Sequence, residues 1–375
     1  MADRVFVHIG APKTGTTYLQ QVLHLNREAL ARDGVCYPKI VGDAHHTAVW
    51  DLRSAWAKRD LGREVRGDWE ATVRVVDAWD GTAVLSSELF VYAKEAECER
   101  ALTSFAPGTE VHVVYSARDL VRQAPAVWQE RLRNQFSLAY SDFLGDLLGP
   151  SSSLMAKAFW RAQDLPSALA RWSVGLPPRQ VHVVTTPPSG SPPQLLWERF
   201  ASVLGVDGTR YRTDVPAANP SMSVAAAETL RRYNVRHGEH LSPVEYRRVV
   251  RGGLLDLLEE RAPDRSKLAL TGAERAGLVQ RARSIVEEVR NRGYDVVGDL
   301  DELVPTAPRR LSLGRSGSSP AESAAGVRRP DEVPDSEVVD LLLDVVDALL
   351  AERETLARQA KRAKKRMRAK KRHVP

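Results

Sequence analysis

The chain has 375 residues, of which 43% are hydrophobic and 27% charged, with only two cysteines, Cys36 and Cys98. These proportions fit a folded protein of two to three domains and exclude a disordered, collagen-like or disulfide-built chain. The formal charge is +6, yet Lys361–Arg372 holds nine Lys or Arg and no acid, so the rest of the chain stands at about −3.

Residues 4–9 are short, β-branched and ended by Gly10 and Pro12, and predict a buried strand. From Thr16 the apolar residues Leu19, Val22, Leu23 and Leu30 recur at helical spacing, and Gly34 ends that helix. Further strands are expected at Ala83–Ser87, Val111–Ser116 and Val181–Thr185, with helical stretches between them. Strands alternating with helices predict an α/β fold with a parallel sheet. The later chain reads as helices at Gln194–Leu204, Ser223–Arg236, Pro243–Glu260 and Ala273–Asn291.

Composition shifts near Pro305. Residues 305–335 are rich in Pro, Ser, Gly and Arg and read as a flexible linker. Val338–Leu356 then forms an apolar-periodic helix that runs into the basic block. The expected organisation is a domain over 1–304, a linker over 305–335, and an amphipathic helix with a basic tail over 336–375. That helix suits a coiled coil, a docked helix or an interfacial anchor. Self-association or contact with an anionic surface is expected of it. No aromatic is interleaved with the basic residues, so specific nucleic-acid binding is not expected. No apolar run approaches a membrane span and the N-terminus lacks a signal-peptide core, so the cytoplasm is the expected location, with peripheral membrane contact through the tail.

The chemistry concentrates in Gly10-Ala-Pro-Lys-Thr-Gly-Thr-Thr-Tyr18, between the first strand and the first helix. Glycine permits a tight turn, and amides at a helix start face whatever binds there. Thr16 and Thr17 add hydroxyls and Lys13 a positive charge, a set suited to a phosphate or sulfate group. It is not a Walker A loop, because Lys13 precedes the second glycine and Thr follows it.

This string resembles the 5′-phosphosulfate-binding loop of the sulfotransferase family, P-K-[ST]-G-T-T-[WYF]-L, matching Pro12 to Leu19 without a gap. Val111–Asp119 looks like the family's second signature, a strand ending in Arg-Asp. The resemblance extends over residues 4–304, with pieces such as Gly34-Val-Cys-Tyr-Pro38, and is to a bacterial branch. It implies a P-loop NTPase-like sulfotransferase fold and 3′-phosphoadenosine 5′-phosphosulfate (PAPS) as sulfuryl donor. It implies donor binding by Pro12, Lys13, Thr14, Gly15, Thr16, Thr17 and Tyr18, with Arg118 on the 3′-phosphate. The serine that assists eight residues later in the family is Ala126 here. Arg122 and Gln129 share its helix face and are the candidate replacements.

A base is needed to take the acceptor's proton. Glu88 directly follows a strand end, where related carbohydrate sulfotransferases place a glutamate. His46, in a pair with His45, is the second candidate, and His8 reads as a packed core histidine. Lys13 is expected to meet charge on the leaving phosphate. No residue spacing suggests a metal site, and no metal is expected to be required. The expected function is sulfuryl transfer from PAPS to a hydroxyl or amine of a glycan, lipid or small metabolite. The alternatives are a non-catalytic nucleotide-binding scaffold acting through its C-terminal helix, and a nucleotide kinase.

Overall fold

A computed structural model describes residues 1–39, 45–53, 65–216, 221–262, 266–305 and 327–371, with the side chains of Glu239 and residues 361–371 excepted. Residues 306–326 of the expected linker and 372–375 of the tail lie outside the described residues. The chain divides into two units. The first takes in the described residues of Met1–Trp128, Ser141–Pro220 and Leu270–Gly317. The second takes in those of Gln129–Tyr140, Ser221–Ala269 and Ser318–Pro375.

The first unit is built on a parallel sheet flanked by helices. Its strands are β1 (Ala2–His8), β2 (Val35–Cys36), β3 (Gly81–Ser86), β4 (Glu110–Ala117), β5 (Val181–Thr185) and β7 (Asp295–Val297). They lie in the order β2-β3-β1-β4-β5-β7, each pair parallel. The four expected strands are present. β2 and β7 are two and three residues long and give no periodic signal. From β1 the chain builds towards β3 on one side and β4 on the other. The carboxyl end of β1 is therefore the switch point, where an open α/β sheet leaves a crevice for ligands.

The expected first helix is broken in two, at Thr16–Leu25 and Arg27–Arg32. Asn26 causes the break. Its side-chain amide donates to the carbonyls of Val22 and Arg212, and its Oδ1 accepts the Arg212 amide. An asparagine that bonds backbone in this way competes with helix continuation.

Phe6, Val84, Val114 and Val184 from four adjacent strands pack with Leu19, Val22 and Leu23 of the first helix and with Trp197 and Phe200 of helix Leu195–Val203. Burying each such side chain contributes about 1.5–3 kcal/mol, which fixes the first helix against the sheet. A second set stacks edge to face, Trp69 on Phe90 and Phe90 on Trp172. The end of β5 is pinned by Glu302, which receives Thr185 Oγ1 and both terminal nitrogens of Arg199.

The second unit is mainly helical. Its helices include Val224–His237, Leu255–Arg261 and Asp335–Lys371, with a π-helical turn at Arg247–Leu254. Two short strands, β6 (Lys267–Leu268) and β8 (Val327–Arg328), pair in parallel. β8 lies inside the stretch read as linker. Val333 and Val338 pack on Val224, and buried Glu228 holds Arg231 and Arg232. Tyr246 Oη donates to Leu132 O and Asn234 Oδ1. No described helix is long and apolar enough to cross a membrane.

Two buried histidines tie the centre of the sheet. His8 ends β1 and reaches both neighbouring strands, with Nδ1 2.8 Å from Ser86 Oγ and Nε2 2.7 Å from Ser116 Oγ. His45 takes the Ser86 amide proton on Nδ1 at 2.9 Å and donates from Nε2 to Pro38 O at 3.0 Å. Burial lowers His8 to about 3 and His45 to about 4. Both stay neutral in the fold, while the unfolded chain gains their protons below pH ~6.5. Stability is therefore full above that pH and is lost as pH falls towards 4, at roughly 1.4 kcal/mol per pH unit per histidine. Urea unfolding should show roughly 4 kcal/mol less stability at pH 5 than at pH 7 from the two together. His45→Gln should flatten about half of that slope. A flat profile from pH 7 to 5 in the parent protein would contradict the neutral buried state.

Candidate active site

The loop Ile9–Gly15 leaves the carboxyl end of β1 and turns into the first helix. Two left-handed residues make the turn, Lys13 at φ 68° and Gly15 at φ 91°. A side chain at position 15 would place Cβ 2.4 Å from Leu196 Cδ2, so only glycine fits. At Gly10 the limit is approach: a Cβ would lie 2.7 Å from Thr16 Cγ2 and 2.8 Å from His8 Nε2.

Four successive carbonyls of this loop accept side-chain hydrogen bonds, one from within the loop and three from outside it. Ala11 O accepts Thr14 Oγ1 at 2.7 Å. Pro12 O accepts the side-chain amides of Gln123 and Gln163. Lys13 O accepts Arg118 Nη1 at 3.1 Å, and Thr14 O accepts Thr186 Oγ1 at 2.9 Å. The first helical bond is Leu19 N to Gly15 O. The amides of Thr16, Thr17 and Tyr18 thus precede the helical ladder, and no side chain caps this end. These donors, with the helix dipole behind them, form a cradle for an anion.

The expected donor-binding residues divide by role. Lys13, Gly15, Thr16 and Thr17 bring charge, turn and hydroxyls to the loop and helix start, with Thr17 exposed and Thr16 buried. Pro12 and Thr14 hold the loop's shape, because the Thr14 hydroxyl is spent on Ala11 O. The Tyr18 ring packs against the hydrophobic core.

Arg118 sits at the end of β4 and is mostly buried. Its Nε has no partner, and burial together with neighbouring Arg122 lowers it to about 10, so it remains a cation at neutral pH. Asp119 is taken by Arg122. Arg122 also donates to Pro187 O and Thr186 O, and Gln129 donates to Met222 O. Both candidate replacements for the missing serine are thereby committed to backbone, whereas Arg118 keeps an unmatched N–H at the end of β4.

The candidate bases converge at the end of β3. Glu88 opens the 3₁₀ turn Glu88–Tyr92, and its Oε2 accepts Gln20 Nε2 at 3.2 Å. Gln20 lies one turn along the helix from Thr16 and also approaches Ser86 Oγ at 3.4 Å. His46 begins helix His46–Leu52 and has Nδ1 2.8 Å from Ser87 Oγ. A cavity of about 350 Å³ opens here, lined by Thr17, Gln20, Tyr37, His46 and Ser86 among others. Thr17 therefore borders both the anion cradle and this cavity. His45 is not a base: its lone pair is occupied by the Ser86 amide.

Gln20, Ser86, Ser116, Gln123, Gln163 and Thr186 bond the loop and the groups around the crevice, and the sequence reading did not single them out. Only Gln20 carried a usable signal, its position four residues after Thr16 on the first helix.

No family model and no curated protein matches the chain. Two solved chains are similar to it. One is the crystal structure of a sulfotransferase from Alicyclobacillus acidocaldarius, 15% identical, covering 63% of this chain and 94% of that one, with a TM-score of 0.39. The other is the sulfotransferase domain from the curacin biosynthetic pathway, 11% identical, covering 54% of this chain and 73% of that one, with a TM-score of 0.28.

Proposed function

We propose that this chain is a sulfotransferase that moves the sulfuryl group of PAPS to a hydroxyl or amine of an acceptor seated beside Thr17, Gln20 and His46. The observation that carries this reading is the Pro12–Leu19 loop. Its carbonyls are held in place and its helix-start amides precede the ladder, beside a cavity lined by Thr17, Gln20 and His46, with Glu88 bonded to Gln20. The loop and the Lys13 ammonium fit the donor's 5′-phosphosulfate, and the unmatched Arg118 N–H fits its 3′-phosphate.

Glu88 takes the proton as the acceptor oxygen or nitrogen attacks sulfur. The bond from sulfur to the bridging phosphate oxygen breaks. Lys13 and the amides of Thr16 and Thr17 meet the negative charge that grows on the leaving phosphate. Gln20 positions the Glu88 carboxylate. Such preorganised donors act without reorganising in the transition state. The acceptor class is a glycan, a lipid or a small metabolite.

A thermal-shift titration tests the donor site. 3′-Phosphoadenosine 5′-phosphate at about 100 times its Kd should add roughly 2.7 kcal/mol of stability, and ATP with magnesium should add none. Stabilisation by ATP instead would move the reading to a kinase. With labelled PAPS and an acceptor found by turnover, Lys13→Ala should lower kcat by about 10²–10³, with a smaller loss of product-nucleotide affinity. Glu88→Gln should lower kcat by about 10²–10⁴ and leave nucleotide binding intact. If His46→Ala loses activity and Glu88→Gln keeps it, His46 is the base and Glu88 is not.

A further inference from the structure

The last helix, Asp335–Lys371, has two apolar faces and its own unit covers only one. Val338, Leu341 and Val345 are at most 5% exposed. Val339, Leu342, Val346, Leu349 and Leu356 are 38–57% exposed. From Leu349 to Ala360 every residue is exposed. At 1.5 Å per residue, the 37 residues span roughly 55 Å. A long helix exposed on all sides lacks the tertiary packing that ordinarily stabilises it.

Five of the exposed apolar residues follow a three-four alternation, and Leu343 and Leu350 lie beside it. Val339 and Val346 occupy one heptad position, and Leu342, Leu349 and Leu356 the other. The alternation continues in the sequence through Ala360, Ala363 and Met367, broken once at Arg353. The a and d positions of a coiled coil are filled in this way, with Leu343 and Leu350 widening the face.

Charge selects the partner and its direction. Residues 335–354 carry seven acids and one arginine, whereas residues 355–372 carry ten Lys or Arg and no acid. Two parallel copies would bring like halves together along their whole length. Two antiparallel copies would set each acidic half against a basic half. In an antiparallel pair each layer joins one heptad position with the other. Position 339 then meets 363 and position 342 meets 360, which sets Val339 and Leu342 against alanines; position 346 meets 356, Val against Leu, and at the centre Leu349 meets Arg353.

We infer that this helix pairs antiparallel with the same helix of a second copy of the chain, centred near Ala351. The inference stands apart from sulfuryl transfer and does not use the site residues.

The test uses the full chain. Sedimentation at tens of micromolar should give a dimer that weakens as salt screens the opposed halves. Val346→Asp, on an exposed position that faces Leu356, should weaken it by more than about tenfold, or ~1.4 kcal/mol, with an unchanged monomer melting curve. A mixture of Val339→Cys and Ala363→Cys chains should form a disulfide-linked pair under mild oxidation. Val339→Cys alone should not, since its two copies would sit roughly 36 Å apart at 1.5 Å per residue over 24 residues. The parent chain, with Cys36 and Cys98, controls for background. A monomer at these concentrations overturns the inference, as does efficient 339–339 linkage. Monomeric binding to phosphatidylserine vesicles would assign the face to an anionic membrane and likewise overturn it.

Discussion

The loop after β1 keeps its form because four consecutive carbonyls are bonded to groups outside the helix they precede. Gln123, Gln163, Arg118 and Thr186 come from three separate segments, and each takes a loop oxygen. A free loop could rotate its peptides and turn oxygens towards an incoming anion. This one cannot without breaking those bonds, each worth about 0.5–1.5 kcal/mol net and more where the donor is charged. The left-handed Lys13 and Gly15 are tolerated for the same reason, since surroundings that over-determine the backbone can hold strained residues.

The supports are themselves supported. Thr186 follows β5, whose end is clamped by the Arg199–Glu302 pair and by the Thr186 amide on Ala117 O. Ser86 links His8, Gln20 and His45, so the three elements that meet at the crevice share one hydroxyl and one amide. Glu88 inherits its position from this cluster through Gln20. The anion cradle and the candidate base are therefore held by one connected polar network, which the low local dielectric strengthens when every member is paired.

What the sequence made legible was local. The strand, loop and helix around Lys13 lie within one stretch of chain, and their turn chemistry is written in adjacent residues. Glu88 stood out as a candidate because it directly follows a strand end, and His46 because imidazole suits a base. The residues that hold the loop were not, because Gln123, Gln163 and Thr186 lie 111, 151 and 172 positions from their partners. Nothing in a glutamine's neighbours announces such a bond. The break at Asn26 was hidden for the same reason, since Arg212 makes it, and β2 and β7 are too short to carry a period. The pairing of a histidine with its backbone partner also escaped the sequence: His45 and His46 look alike in the chain, yet His45 bonds backbone at both ring nitrogens while His46 meets the Ser87 hydroxyl.

The electrostatics of the site follow from where the fold gathers positive charge. Arg118 and Lys13 stand at a helix start whose dipole is also positive, and the one carboxylate bonded within the Arg118–Arg122 segment, Asp119, is given to Arg122. Concentrating positive charge this way costs stability in the empty protein, and burial already draws Arg118 down to about 10. A protonated His8, directly beneath Gly10, would add to that repulsion. Its burial between two serines keeps it neutral, so the centre of the sheet offers hydrogen bonds without charge. On the proposed reading, a bound dianion would relieve that repulsion and give the Arg118 N–H an acceptor. Such a site would stabilise the bound state partly by being imperfect without ligand, the ordinary relation between a strained site and what it binds.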